Sequence, residues 1–218
     1  MFINHIFATS QELPPPGPYL YEYVVAGNGV FVRARRAGLE AMIPVSKGSP
    51  IKGLESVTPY ARLQSKVPEI LVRKALLWSV QALPKEVLFW FGLDSERNTW
   101  TICRPKQYQT RTSVKPVDPY EPFGSQALID LHSHNTMTPF FSARDDQDET
   151  GFRIYAVIGS INIHADVPPA IQVRVGIYGH FWSIPAAQVF NLPSFLQDAS
   201  LQPESYFDDS EEEVRCET

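Results

Sequence analysis

With 218 residues, the chain can bury one good-sized core and carry a modest appendage. Its 44% apolar and 20% charged residues are ordinary for a soluble protein, and no stretch approaches the ~18 apolar residues that span a bilayer. The net charge of −5 is uneven: residues 203–218 hold seven acids against Arg215, which leaves the rest near neutral and without a case for specific nucleic-acid binding.

The leader MFINHIFATSQELPPPGP has no basic start and no sustained apolar run, so no signal peptide is read there. Two cysteines, Cys103 and Cys216, are too few for a disulfide framework, and a cytoplasmic location is expected. After the proline-rich stretch 14–18, the segment YLYEYVVAGNGVFVRARR reads as a hairpin turning at Asn28-Gly29. LEAMIPVS continues as a strand, and residues 1–66 are taken as a small β-rich N-terminal region. A helix is predicted over 68–83, with Leu71, Ala75, Trp78 and Ala82 as its apolar stripe and Pro84 as its stop. EVLFWFGL reads as a buried strand and NTWTICRP as its hairpin partner; the polar, proline-broken run over 104–124 reads as a loop. ALIDLHSH is a third strand, SARDDQDE opens a helix, and FRIYAVIGS, AIQVRVGIYG and FWSIP are strands. A short amphipathic piece covers AAQVFNLPSFL, and residues 196–218 are expected to be an acidic, disordered tail. The fold class is α/β with a mixed sheet.

Chemistry concentrates in LHSHNTMTPFFSARD. On a strand, residues i and i+2 share a face, so His132 and His134 can reach one point. At a helix start, i and i+3 lie on one side, so Ser142 and Asp145 can face that same point across a seven-residue loop. Two imidazoles and one carboxylate leave a fourth tetrahedral position open, which distinguishes catalytic zinc sites from closed structural ones. Zn2+ held by His132, His134 and Asp145 is the expected cofactor. Ser142 also reads as a helix N-cap, compatible with that role. His5, His164 and His180 lack suitable neighbours and read as structural or solvated.

This pattern resembles the JAB/MPN metalloproteases, whose JAMM motif places a Glu upstream of HxH, seven residues and SxxD. The order helix, strand, hairpin, HxH strand also matches, and Pro84 to Leu93 is similar to the family segment that carries the Glu. The resemblance covers about residues 68–190 and implies a zinc metalloprotease domain over 67–195 with a cytidine deaminase-like mixed sheet flanked by helices. It implies Glu86 as general base and Ser142 as a catalytic hydroxyl at the oxyanion. The family's proline after the second His is Asn135 here, and the one before the Ser is Phe141. The N-terminal region and FFSARDDQDE are similar to the subgroup found in the PRTRC cassettes of plasmids, which also encode ubiquitin-like proteins. The implied activity is hydrolysis of amide or isopeptide bonds in a ubiquitin-like protein or its conjugates, and no membrane or specific nucleic-acid partner is expected. A docking module that holds such a partner without cutting it is the alternative. Asp130, sharing the ligand face, is expected to partner a ligand imidazole; Asp146 and Asp148 are expected to face solvent. Ile129 to His134 also resembles the DxHxH opening of PHP-type phosphoesterases and amidohydrolases, but too few residues follow for their barrel.

Overall fold

Segments that alternate apolar and polar residues bury one face and present the other. The computed structural model, which describes residues 2–162 and 167–201, builds two such sheets. The first holds β1 (Ile3–Phe7), β2 (Tyr21–Ala26), β3 (Gly29–Arg36), β4 (Leu39–Lys47) and β5 (Tyr60–Leu63) in chain order. The β2–β3 turn sits one residue earlier than expected. Ala26 pairs with Gly29, so the turn is Gly27-Asn28. Gly29 opens β3 at φ 142, where a Cβ would strike the Ser46 carbonyl.

α1 (Glu69–Ala82) begins after Pro68, as read from the sequence. Its buried line is Val72, Ala75, Leu76 and Ser79, rotated from the predicted stripe. Trp78 stays on the flank because Lys74 and Arg104 lie over its ring, 4.6 and 5.6 Å from the centroid. β6 (Leu88–Asp94) and β7 (Thr99–Cys103) follow as the expected hairpin. The predicted loop over 104–124 instead contains a small hairpin, β8 (Gln107–Gln109) and β9 (Val114–Pro116), and a short helix α2 (Pro122–Gln126). Side-chain bonds hold that hairpin: the Gln107 amide meets both the N–H and the C=O of Leu88, at 2.7 and 3.3 Å. Apolar periodicity carries no trace of such a tether.

β10 (Ile129–Ser133), β11 (Phe152–Gly159), β12 (Ala170–Ile177) and β13 (His180–Ser183) complete the second sheet, in the order β13-β12-β11-β10-β6-β7, with the short helix α3 (Ala143–Asp148) between β10 and β11. A 3-10 turn, Ala186–Gln188, stands where the short amphipathic piece was expected. The ordered chain also reaches further than expected at its end. Leu196 is buried, and β14 (Gln197–Asp198) pairs with β12, so residues 196–201 belong to the folded body. The acidic run from 203, Cys216 and His164 lie outside the described residues. No helix among the described residues is long and apolar enough to cross a membrane.

The second sheet has two unlike faces. Phe89, Phe91, Ile129, Leu131, Ile154, Ala156, Val173 and Val175 alternate onto one face, all fully buried. α1 and the inner residues of the first sheet, among them Val32, Ala34 and Ile43, pack into the same core. The opposite face carries Trp90, Asp130, His132, Arg153, Tyr155 and Arg174. β10 runs parallel to β11, and a parallel pair needs a crossover. Residues 134–151 supply it, and they carry α3 over the polar face.

Candidate metal centre

His132 lies near the end of β10 on the polar face, while Ser133 points to the core between the two histidines. Ser133 fixes the strand end: its N–H donates to the Val87 carbonyl at 3.0 Å, and its Oγ accepts from the Val87 N–H at 3.0 Å. His134 follows immediately, its N–H donating to Ile158 at 2.7 Å and its ring against the edge of Phe140. Next, Asn135 adopts φ 51, which a proline ring forbids. That conformation accounts for the absence of a proline here.

Ser142 caps α3 in a reciprocal box. Asp145 Oδ2 accepts from the Ser142 N–H at 2.7 Å and from its hydroxyl at 2.6 Å, and the Asp145 N–H returns a bond to Ser142 Oγ. Asp145 Oδ1 is thereby aimed at the strand end, 3.5 Å from His132 Nε2. The Nε2 atoms of His132 and His134 stand 3.1 Å apart, and one donor atom from each of the three residues lies within 4.8 Å of the others. Bonds of ~2.0–2.1 Å in a tetrahedron place neighbouring ligand atoms about 3.3 Å apart, so the 3.1 and 3.5 Å separations from His132 suit one small divalent ion. Burial pushes both imidazoles toward their neutral, metal-ligating form. Burial alone would raise Asp145, but His132 and the Ser142 bonds outweigh it and hold the carboxylate ionised.

Glu86 precedes β6, buried in the same cavity as the three candidate ligands. Its N–H donates to Thr110 at 2.8 Å and its carbonyl accepts from Gln109 Nε2 at 2.6 Å, so the β8–β9 hairpin sets its position. Burial, reinforced by the charge of Asp145, pushes its carboxyl up to about 7. The cavity measures about 580 Å3, within the usual range of ligand sites.

Arg174 was not singled out from the sequence, yet it holds α3 in place. It donates to Glu149 at 2.6 and 2.9 Å and to Asp146 at 2.6 Å. Phe141 and Phe181 sandwich the guanidinium at 4.0 and 3.8 Å. Phe141, where the resembled family often has proline, thus joins this clamp. The available signal was the one charged residue of the strand segment AIQVRVGIYG. Asp146 and Asp148 face solvent as expected, their side chains 52% and 53% exposed, while also pairing with Arg174 at 2.6 Å and Lys115 at 3.0 Å. Asp130 does not support a ligand imidazole. Both its oxygens accept from Arg153 Nη1, at 3.0 and 3.1 Å, because residues two apart on a strand lie about 6.6 Å from each other. His5 stacks on Tyr23, whose hydroxyl meets His180 Nε2 at 3.0 Å, and neither histidine joins the cluster.

No family model matches the chain, and no curated protein does. Among solved structures, the chain is similar to protein DSY2949 from Desulfitobacterium hafniense, known from its solution structure. The match has a TM-score of 0.43 and 15% identity, over 62% of this chain and 97% of that one.

Proposed function

We propose that the chain is a zinc-dependent hydrolase of amide or isopeptide bonds. The observation that carries this reading is Glu86, a buried carboxyl that shares one cavity with His132, His134 and Asp145. Two imidazole nitrogens and one carboxylate at tetrahedral spacing suit zinc with an open position. A zinc ion held there supplies Lewis acidity, lowering the pKa of a coordinated water and polarising a carbonyl oxygen. Near neutral pH Glu86 takes a proton from water and delivers it to the leaving amine. Ser142 donates its hydroxyl proton to Asp145 and so orients that carboxylate; its part at the oxyanion requires that bond to be exchanged. The ubiquitin-like substrate, and the JAB/MPN-like fold that goes with it, rest on the resemblance of the HxH, SxxD and upstream Glu pattern to the JAMM peptidases.

The test is mass-spectrometric cleavage of ubiquitin-like conjugates, with zinc content measured alongside. Glu86→Gln is expected to keep zinc while hydrolysis falls about a hundredfold or more. His134→Ala is expected to lose both. Full activity in Glu86→Gln sinks the assignment of the base, and tight binding without cleavage by the native chain replaces the hydrolase with a docking module.

A further inference from the structure

The polar face of the second sheet does not end at the metal centre. One pleat repeat before His132, Asp130 and Arg153 form an ion pair in the floor of the same cavity. Tyr155 and Trp90 stand beside the pair on the flanking strands, and Pro116 and Pro119 close the wall opposite. Gly124 admits Trp90, since a Cβ there would meet the indole ring. Arg153 spends only Nη1, on the two oxygens of Asp130. No hydrogen bond among the described residues uses its Nε or Nη2, and its side chain stays 19% exposed while lining the cavity. That Nε/Nη2 edge is the fork that accepts two oxygens of a carboxylate, or one carbonyl, at fixed geometry. Asp130 holds the fork at a set depth, beside Trp90 and Tyr155 and largely shielded from bulk solvent, where such a bond is strengthened.

We propose that Arg153, held by Asp130, is a substrate subsite that receives an acceptor oxygen two to four residues from the scissile bond. This rests on the hydrolase reading, which puts the scissile carbonyl at His132, His134 and Asp145. The spacing fits. On β11 Arg153 lies four residues before Val157, the partner of His132, and its Nη1 reaches Asp130, two residues before His132 on β10, so two to four residues of an extended substrate, about 7 to 13 Å, cover the interval. The substrate is then an extended peptide laid along β10. Its anchoring oxygen is either a free terminal carboxylate or a backbone carbonyl at that position.

Two fluorescein-labelled tetraglycine probes separate these sources, one with a free C-terminal carboxylate and one amidated. Fluorescence anisotropy is read on the zinc-loaded Glu86→Gln chain, so no cleavage intervenes. Adding Arg153→Lys retains a cation for Asp130 but removes the fork, and is expected to weaken probe binding about tenfold with zinc affinity unchanged. Loss confined to the free acid identifies a terminal carboxylate; equal loss in both arms identifies a backbone carbonyl. Arg153→Gln with Asp130→Asn, which removes both charges together, must reproduce the loss if Arg153→Lys disturbs the fold. Unchanged affinity in both arms, or no binding of either probe by the parent chain, overturns the subsite. Arg153-dependent binding by a native chain that cleaves nothing would instead sink the hydrolase reading and leave the subsite standing.

Discussion

At the scale of single residues, Glu86 is the most telling group, because burial beside Asp145 raises its carboxyl in the metal-free chain. Its folded carboxyl titrates at about 7 against 4.5 for the free side chain. A raised acid contributes stability in full below the unfolded value and loses it as pH climbs through the folded one. In metal-free protein, native stability should therefore fall between about pH 4.5 and 7 through this group, by at most about 3 kcal/mol. Glu86→Gln removes that fall. Urea unfolding at pH 5 and pH 8 checks it: the Gln variant should gain on the native chain at the higher pH, and a difference independent of pH would contradict the placement. Glu149, which burial pushes up to about 8 despite Arg174, is present in both proteins and cancels in the comparison. The candidate ligands were legible because their spacing is local: two strand positions and one helical turn. The residues that hold them in place were not, since Gln109, Thr110 and Arg174 reach the site only through tertiary contact.

At the scale of elements, α3 is too short to hold its own orientation. It spans six residues, far below the length at which an isolated helix persists in water. Its direction comes from Arg174 on β12, which grips the residue after Asp145 and the one four beyond it. Arg174→Met should leave Glu149 without its cation and let α3 shift, lowering zinc affinity about 10- to 100-fold, the usual range for partners of metal ligands. Competition with a chromophoric chelator measures this, and an unchanged zinc affinity would show that α3 is held by its cap alone. Most strands and α1 were readable from apolar periodicity, whereas the short edge pieces β1, β5 and β14 were not, nor was the hairpin of β8 and β9, because Gln107 rather than an apolar face ties it to β6. The face of α1 was misread by a fraction of a turn, since apolar residues on both flanks made two stripes equally plausible from sequence.

At the scale of the whole molecule, the two sheets share one core. Val32, Ala34, Ala41 and Ile43 of the first sheet lie in the same apolar cluster as Phe89, Ile129 and Val175 of the second. Removing residues 1–66 would bare that face, so the truncated chain is expected to aggregate or to lose cooperative thermal unfolding; a soluble fragment with a sharp transition by circular dichroism would argue for two independent cores. Composition marked this region as β-rich, but only long-range packing shows whose core it completes. The alternation of faces in the second sheet has a further consequence for how such a protein diversifies. Adding or deleting one residue within β10 would swap His132 for a core side chain, so length changes there are lethal to the site. The hairpin and the crossover that roof the cavity carry no such parity. Drift in chain length is thereby channelled to the roof, where new specificities can be sampled while the floor is inherited intact.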